Sequence, residues 1–574
     1  MPVKSVEEHT QKSSVTLGKP KHLQNQLTLH KHVGQEKLQV SSNLLTKNSV
    51  VTPIKADRLD YWLKGYDRNK QKYLVEGFKV GFKIPFEGQR IFRESDNLKS
   101  AKDNLDILKQ KIQIEIDNHR VAGPFKEIPF QNFQSSPLDL VPKKSGETIV
   151  DYRVKHHLSY PEGCSVNDGI QNKFKPVQYQ EVEDAVGLMR TYGKNCGLLK
   201  LDIQNTYKIV PIHCSDWELL GFTIDHEYYF DKTLPMGLSF SCQLFEEFST
   251  AVHWVCENKL GLSGRLVHLL DDFLGVGPED RQICYRDLNK IMFLFKDIGI
   301  PIKESKIVRP CTSLIFLGIE LDSILMEKRL PQDKLTKARH LIQIHKSKKS
   351  ITLQELQSII GLLNFACSVV IPGRPFLRRL IDLSIGLTKP FHHRRLNKEA
   401  RADLNAWGLF LEHFNGKSLF LSEQWDNSDS LQLYTDASNI GFGGYLGNQY
   451  FSGIWPKTWN TYHITIKELF PIVLAVQLWA DQLENRCIIF FTDNDAVVHI
   501  INKQSSKEKT IMVLVRRLVA QCLKHNILFQ ARHVPGLDNV LADHLSRQQI
   551  PQFLQKFSHN NPVACHYNED NFKV

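Results

Sequence analysis

The chain has 574 residues, 42% of them hydrophobic and 24% charged, with a formal charge of +11. It is too long for one core, so about three to four globular domains are expected, and the modest basic excess is compatible with a polyanionic partner. Eleven cysteines without a CxxC pair or zinc-like spacing, no apolar run near the ~18 residues of a membrane span, and an amino-terminal "MPVKSVEEHTQKSS" without a signal-peptide core predict an intracellular protein. The expected location is the cytoplasm, the nucleus or both, with no membrane partner and no secretion.

Residues 1–55, rich in Lys, Ser, Thr, Gln and Asn, read as a disordered basic arm. Residues 56–125 read as a mainly helical extension, because "AKDNLDILKQKIQIEIDNHR" spaces its apolar residues at three and four. The Pro-punctuated "GPFKEIPFQNFQSSPLDLVPKKSGE" is expected to be extended. Over 126–330 the runs "GLLKLDI", "YKIVPI", "YYFDKTLP", "LVHLL" and "SLIFLGIELD" read as strands alternating with helices, an α+β domain around an antiparallel sheet. Two helices, "DKLTKARHLIQIHKSKKS" and "TLQELQSIIGLLNFACSVV", follow within 331–390. "GRPFLRRLIDL", still within 331–390, and "FHHRRLNKEARADLNAWGLFLEHF", in 391–427, continue in a helical, Arg-rich vein. Residues 428–548 read as a compact α/β domain: a three-strand meander, the long helix "TIKELFPIVLAVQLWADQLE", the buried strand "CIIFFTDND" and a last helix "NVLADHLSR". Residues 549–574 read as a tail.

"LVHLLDDFLGVG" is a hairpin with a charge problem. Asp271 and Asp272 interrupt an apolar run, and half-buried like charges need a positive partner. Asp202 ends the apolar strand of "LLKLDIQNTYKIVPI" in a similar context. Each aspartate alone is explained equally well by a turn or a cap. Together they have the composition nucleotidyl transfer needs, since carboxylates from separate strands can hold two Mg²⁺ ions about 3.5–4 Å apart.

"LKLDIQNTY", "LPMGLSFS", "LLDDFL" and "LIFLGIEL" follow one another in the order and approximate spacing of reverse-transcriptase palm motifs. With the flanks "SPLDLVPKKSGE…YRVKHHLSYPEGCSVNDGI" and "TLQELQSIIGLLNFACSVVIPGRPFLRRLIDL", the chain resembles the reverse transcriptases of DIRS-type (tyrosine-recombinase) retrotransposons from about residue 75 to 548. The resemblance implies a multidomain α+β right-hand polymerase: fingers and an antiparallel palm over 126–330, a helical thumb over 331–390 and a connection over 391–427. It implies that Asp202, Asp271 and Asp272 are catalytic metal ligands, Asp272 being the least firmly placed. Tyr207 matches the steric gate against a 2′-hydroxyl, and Pro235, Met236 and Gly237 match the loop on nucleotide and template. Arg153 with Lys143 or Lys144 matches the triphosphate grip. Lys306 aligns with a lysine that protonates pyrophosphate. Two positions depart from the pattern: Leu269 stands where an aromatic is usual, and Met236 where glutamine is usual.

A second acidic set lies in 428–548. Asp436 ends "LQLYTDAS", Glu468 lies in the first turn of the long helix, Asp493 ends "CIIFFTD" and Asp543 sits on the last helix. In that order they resemble ribonuclease H of long-terminal-repeat and DIRS-like elements, implying an α/β ribonuclease H-like domain in which all four are catalytic metal ligands. Asp495, Asp538 and His533 are not assigned to the metal site or to catalysis. The resemblance therefore implies an RNA-directed DNA polymerase with linked ribonuclease H, using two Mg²⁺ (or Mn²⁺) per site. Its partners would be an RNA template, a DNA primer, dNTPs and the RNA–DNA hybrid, with a recombinase for integration supplied separately. The alternative is a catalytically inactive, nucleic-acid-binding relic.

Overall fold

The computed structural model describes residues 50–145, 148–413, 418–419, 433–484, 486–525, 527–557, 562–568 and 572. The expected arm lies outside the described residues up to position 49. The chain forms two units, one from residues 1–179, 203–259 and 292–302, the other from 180–202, 260–291 and 303–574. The stretch expected as one α+β domain at 126–330 is therefore shared between them.

In the first unit, residues 50–55 are fold rather than arm. Ile54 is buried, and Thr52 Oγ1 donates to Ile209 O at 2.6 Å. The amphipathic segment forms the helix Leu105–Asp117, burying Leu108 and Ile112 in a cluster with Leu138, Leu140, Phe222 and Tyr229. Among its described residues the Pro-punctuated stretch holds no helix and is strand at both ends, with bends and turns between. Val121–Phe125 pairs antiparallel with Glu227–Asp231, which pairs with Gly221–Ile224. Leu138–Ser145 and Thr148–His156 form an antiparallel hairpin. "YKIVPI" is not a continuous strand: Thr206–Ile209 is a turn of 3₁₀ helix entered from Asn205 at φ 58°, and only Pro211 and Ile212 make isolated bridges, to Thr233 and Phe82. Its β-branched and aromatic content favours strand, but the left-handed conformation that Asn tolerates turns the chain first.

The second unit contains a four-stranded antiparallel sheet in the order Leu266–Leu269, Asp272–Gly277, Gly197–Asp202, Val308–Cys311. "SLIFLGIELD" folds into two antiparallel strands, Ser313–Phe316 and Ile319–Asp322, because Leu317 and Gly318 adopt positive φ between them. The helices Gln332–Ser347, Leu353–Ala366, Arg378–Ser384 and Lys398–His413 follow. "FHHRR", expected in a helical vein, is partly strand: His393–Arg395 pairs with Ser350–Thr352. The helix starts only at Lys398, where Asn397 Oδ1 accepts from Ala400 N at 2.8 Å, as an N-cap does.

Further along this unit, Tyr434–Ala437, Gly441–Leu446 and Gln449–Ile454 form the expected meander. The helix Ile464–Trp479 is apolar on nearly every side and is almost wholly buried, as such a sequence requires. Cys487–Thr492 pairs parallel with Leu528–His533. A parallel pair needs a long crossover, which the helices Asp495–Lys503 and Lys509–Lys524 supply.

The expected tail at 549–574 is partly core. Helix Ile550–Lys556 buries Phe553 fully among Tyr445, Tyr450 and Phe557. Val563–Ala564 adds a parallel strand beside Gln449–Ile454. Reading ended at the last acidic motif, whereas the aromatics beyond it complete the packing. Phe553→Ala is expected to destabilise this part of the chain by about 3–5 kcal/mol. Urea unfolding would check this; an unchanged transition would make the segment an appendage.

Candidate functional site

One set of carboxylates stands at an end of the four-stranded sheet. The hairpin closes through two residues, Leu270 and Asp271, between the paired Leu269 and Asp272. The right-handed twist of a hairpin asks for positive φ at the first loop position, normally met by Gly. Here Leu270 takes it, at φ 52°, a strained conformation for a bulky residue. On the other side of Asp272–Gly277, Asp202 lies directly opposite Asp272, so both project from the same face. Asp202 is buried and Asp272 half-buried.

Lysines balance this set. Lys306 Nζ pairs with Asp202 Oδ2, and Lys200 Nζ lies 3.0 Å from Asp272 Oδ1. The charge problem of the hairpin thus has cationic partners inside the chain. Lys200 was missed in the sequence, although strand alternation in "LKLD" places it on the face of Asp202.

The remaining expected nucleotide residues lie in the first unit. Arg153 is exposed on Thr148–His156. Lys143 pairs with Asp151 at 3.3 Å. Asp151, also held by Lys111, is lowered to about 2. The Lys144 side chain lies outside the described residues. Tyr207 is half-buried, its hydroxyl 3.2 Å from Cys242 Sγ and its ring edge-on to Phe245. Pro235 O accepts from Ser241 Oγ at 2.8 Å, Met236 is 40% exposed, and Gly237 O accepts from Asn167 Nδ2 at 2.9 Å. Gly237 has φ 128°, and a Cβ there would meet His156 O at 1.9 Å, so only glycine fits.

The second acidic set closes more tightly. Carboxylate oxygens of Asp436, Glu468 and Asp493 all lie within 4.8 Å of one another, the one such group of three or more potential ligands among the described residues. Glu468 sits in the second turn of Ile464–Trp479, one turn further in than expected. Gly536 keeps the "HVPG" turn close, since a Cβ there would meet Asp493 Oδ2 at 3.1 Å. Asp543 is not in the group of three. Its Oδ1 lies 2.6 Å from Arg547 Nε, at i,i+4 spacing, a pairing that "DHLSR" carries openly. This all-oxygen set fits a hard divalent cation.

Burial first, then Asp543 and Asp493, push Asp436 up to about 7. Burial, then Asp436 and Asp493, push Glu468 up to about 9. Both carboxyls therefore keep protons in the folded chain that the unfolded chain releases near pH 4. Since the folded state binds more protons across that window, stability without metal falls as pH rises from about 4 towards 9. Thermal unfolding in chelator is expected to show a lower midpoint at pH 9 than at pH 5. Mg²⁺, replacing the protons, is expected to raise it more at pH 9. An equal rise at both pH values would contradict this account.

Residues 426–519 match the family of the RNase H-like domain found in reverse transcriptase; Asp436, Glu468 and Asp493 fall inside the match and Asp543 beyond it. Over 220 residues the chain is 26% identical to the Gag-Pro-Pol polyprotein of Mason-Pfizer monkey virus, covering 36% of this chain and 11% of that one. Over 380 residues it is 20% identical to the genome polyprotein of Petunia vein clearing virus (isolate Shepherd), covering 63% of this chain and 16% of that one. The chain thus spans only a small part of these relatives. A solved foamy viral protease-reverse transcriptase with double-stranded DNA aligns at a TM-score of 0.47 and 17% identity, covering 83% of this chain and 82% of that one. Residues 426–519 are thus similar to RNase H-like domains found in reverse transcriptase, and retroviral polyproteins are among the chain's relatives.

Proposed function

We propose that this protein is an RNA-directed DNA polymerase with linked ribonuclease H, encoded by a DIRS-type retroelement and acting inside the cell. The observation that carries the reading is the presence of two separate carboxylate sets in one chain. One stands at the end of an antiparallel sheet, and the other is a closed trio in a segment similar to ribonuclease H. On this reading 126–330 contributes fingers and palm, the helices of 331–390 a thumb, 391–427 a connection and 428–548 the nuclease. The retroelement's recombinase is a separate protein.

Asp202, Asp271 and Asp272 would hold two Mg²⁺ ions for polymerisation, and Asp436, Glu468, Asp493 and Asp543 two for cleavage. Bound there, divalent ions ease deprotonation of the attacking hydroxyl or water and offset charge on the phosphoryl oxygens. Lys200 keeps Asp272 oriented while Lys306, the partner of Asp202, supplies a proton to the leaving pyrophosphate. Arg153 and Lys143 bind triphosphate, and Tyr207 rejects a 2′-hydroxyl. Basic segments such as "KARHLIQIHKSKK" grip the duplex backbone, so binding weakens steeply with salt.

The test is a Mg²⁺-dependent assay of the full chain on two substrates, a DNA-primed RNA template with dNTPs and an RNA–DNA hybrid labelled in the RNA. Extension of the first and cleavage of the second are expected. Salt-sensitive binding to hybrid without either reaction would identify a relic instead.

A further inference from the structure

Asp231, at the end of Glu227–Asp231, is 4% exposed and has two side-chain partners, Lys208 and His156. Lys208 Nζ is 2.5 Å from Oδ1, and His156 Nδ1 is 3.1 Å from Oδ2. Burial works to raise this carboxyl, yet Lys208 and His156 outweigh it and hold it below the ordinary range. His156, 3% exposed, also places Nε2 3.0 Å from Gly221 O. The ring is thus held between the Asp231 carboxylate and the Gly221 carbonyl. A buried charge cluster is costly to assemble and rigid once complete.

Its three members reach three places. Lys208 directly follows Tyr207 on the same 3₁₀ turn. His156 shares its strand with Arg153, three residues away. Its backbone N–H donates to Met236 O at 3.0 Å, while Gly237 packs against its carbonyl. Asp231 itself leads through three residues into Pro235. The cluster holds the elements that carry the expected nucleotide contacts.

We propose that Asp231, through Lys208 and His156, is a positioning residue that locks Tyr207, Arg153 and the 235–237 loop into one nucleotide-selecting face. This rests on the polymerase reading above. Without the lock, Tyr207 and the loop relax, and sugar selection suffers more than chemistry, because small misplacements of positioning groups are amplified in rate.

The decisive variant is Lys208→Met, since that side chain is 25% exposed and the Asp231–His156 pair survives its loss. Single-nucleotide incorporation on an RNA template is measured with a dNTP and the matching rNTP, alongside hybrid cleavage by the same preparation. Expected are a rise in KM for the dNTP of about tenfold, a fall in dNTP-over-rNTP preference of similar size, unchanged cleavage, and recovery in Lys208→Arg. Asp231→Asn is expected to exceed Lys208→Met in both effects. Wild-type preference in Lys208→Met overturns the proposal, as does a proportional loss of incorporation and cleavage, which would mark a merely structural cluster. Failure of the wild type to extend any primer overturns the polymerase reading itself and is recognised before any variant is compared.

Discussion

Asp202→Asn is expected to abolish primer extension on an RNA template, a loss on the order of 10³-fold or more, while hybrid cleavage stays at the wild-type level. That size exceeds the roughly 10–100-fold cost of losing a group that only orients a ligand. Asp202 is buried, lies opposite Asp272 across the sheet, and is paired to Lys306. Replacement by the isosteric amide keeps the shape of the strand end but removes the charge that a divalent ion needs. It also leaves the Lys306 ammonium without its carboxylate. Asp271→Asn is expected to match it, and Asp272→Asn, the ligand that the resemblance places least firmly, to cost less. Single-turnover extension with each variant would check the ranking. Equal, wild-type rates for all three would remove this sheet end from the chemistry.

Glu468→Gln carries the second large effect: loss of hybrid cleavage on the order of 10³-fold, with primer extension retained. Glu468 is 7% exposed, and its carboxylate joins Asp436 and Asp493 within 4.8 Å. Burial, and after it the repulsion of Asp436 and Asp493, push Glu468 up to about 9. The amide removes one ligand and one source of repulsion together. The variant is therefore expected to bind divalent cation more weakly, yet to melt higher than wild type in chelator at pH 9. Titration calorimetry with Mn²⁺ and thermal melting read these two consequences independently of turnover. A variant that cleaves normally, or that melts lower than wild type at pH 9, would contradict this account of the cluster.

The two variants cross: each silences one reaction and spares the other. That pattern is what two separate sites predict, and a shared site would not produce it.

Much of the second unit was legible in the sequence for a local reason. The helix Ile464–Trp479, the meander before it and the strand Cys487–Thr492 have strong apolar patterns, turn residues between them and carboxylates at their ends. Periodicity reports elements of that kind directly. The hairpin around Asp271 was readable for the same reason, since an apolar run broken by two aspartates leaves few other ways to fold. Where local signals conflicted, the reading failed. "YKIVPI" has strand composition, but a left-handed Asn205 turns its first half into 3₁₀ helix and leaves isolated bridges in the second. "FHHRR" borrows its strand from pairing with Ser350–Thr352, a partner more than forty residues away that no local pattern announces.

By itself, then, the sequence determined which residues are chemically equipped: seven carboxylates in two ordered sets. The tertiary structure decided which charges meet. It set Lys200 and Lys306 on the acids of the hairpin sheet, drew Asp436, Glu468 and Asp493 together, left Asp543 paired to Arg547, and buried Asp231 between Lys208 and His156. Residue identity and spacing are local properties that the chain carries openly. The neutralisation of a buried charge depends on groups brought from distant stretches, and only the folded chain supplies them.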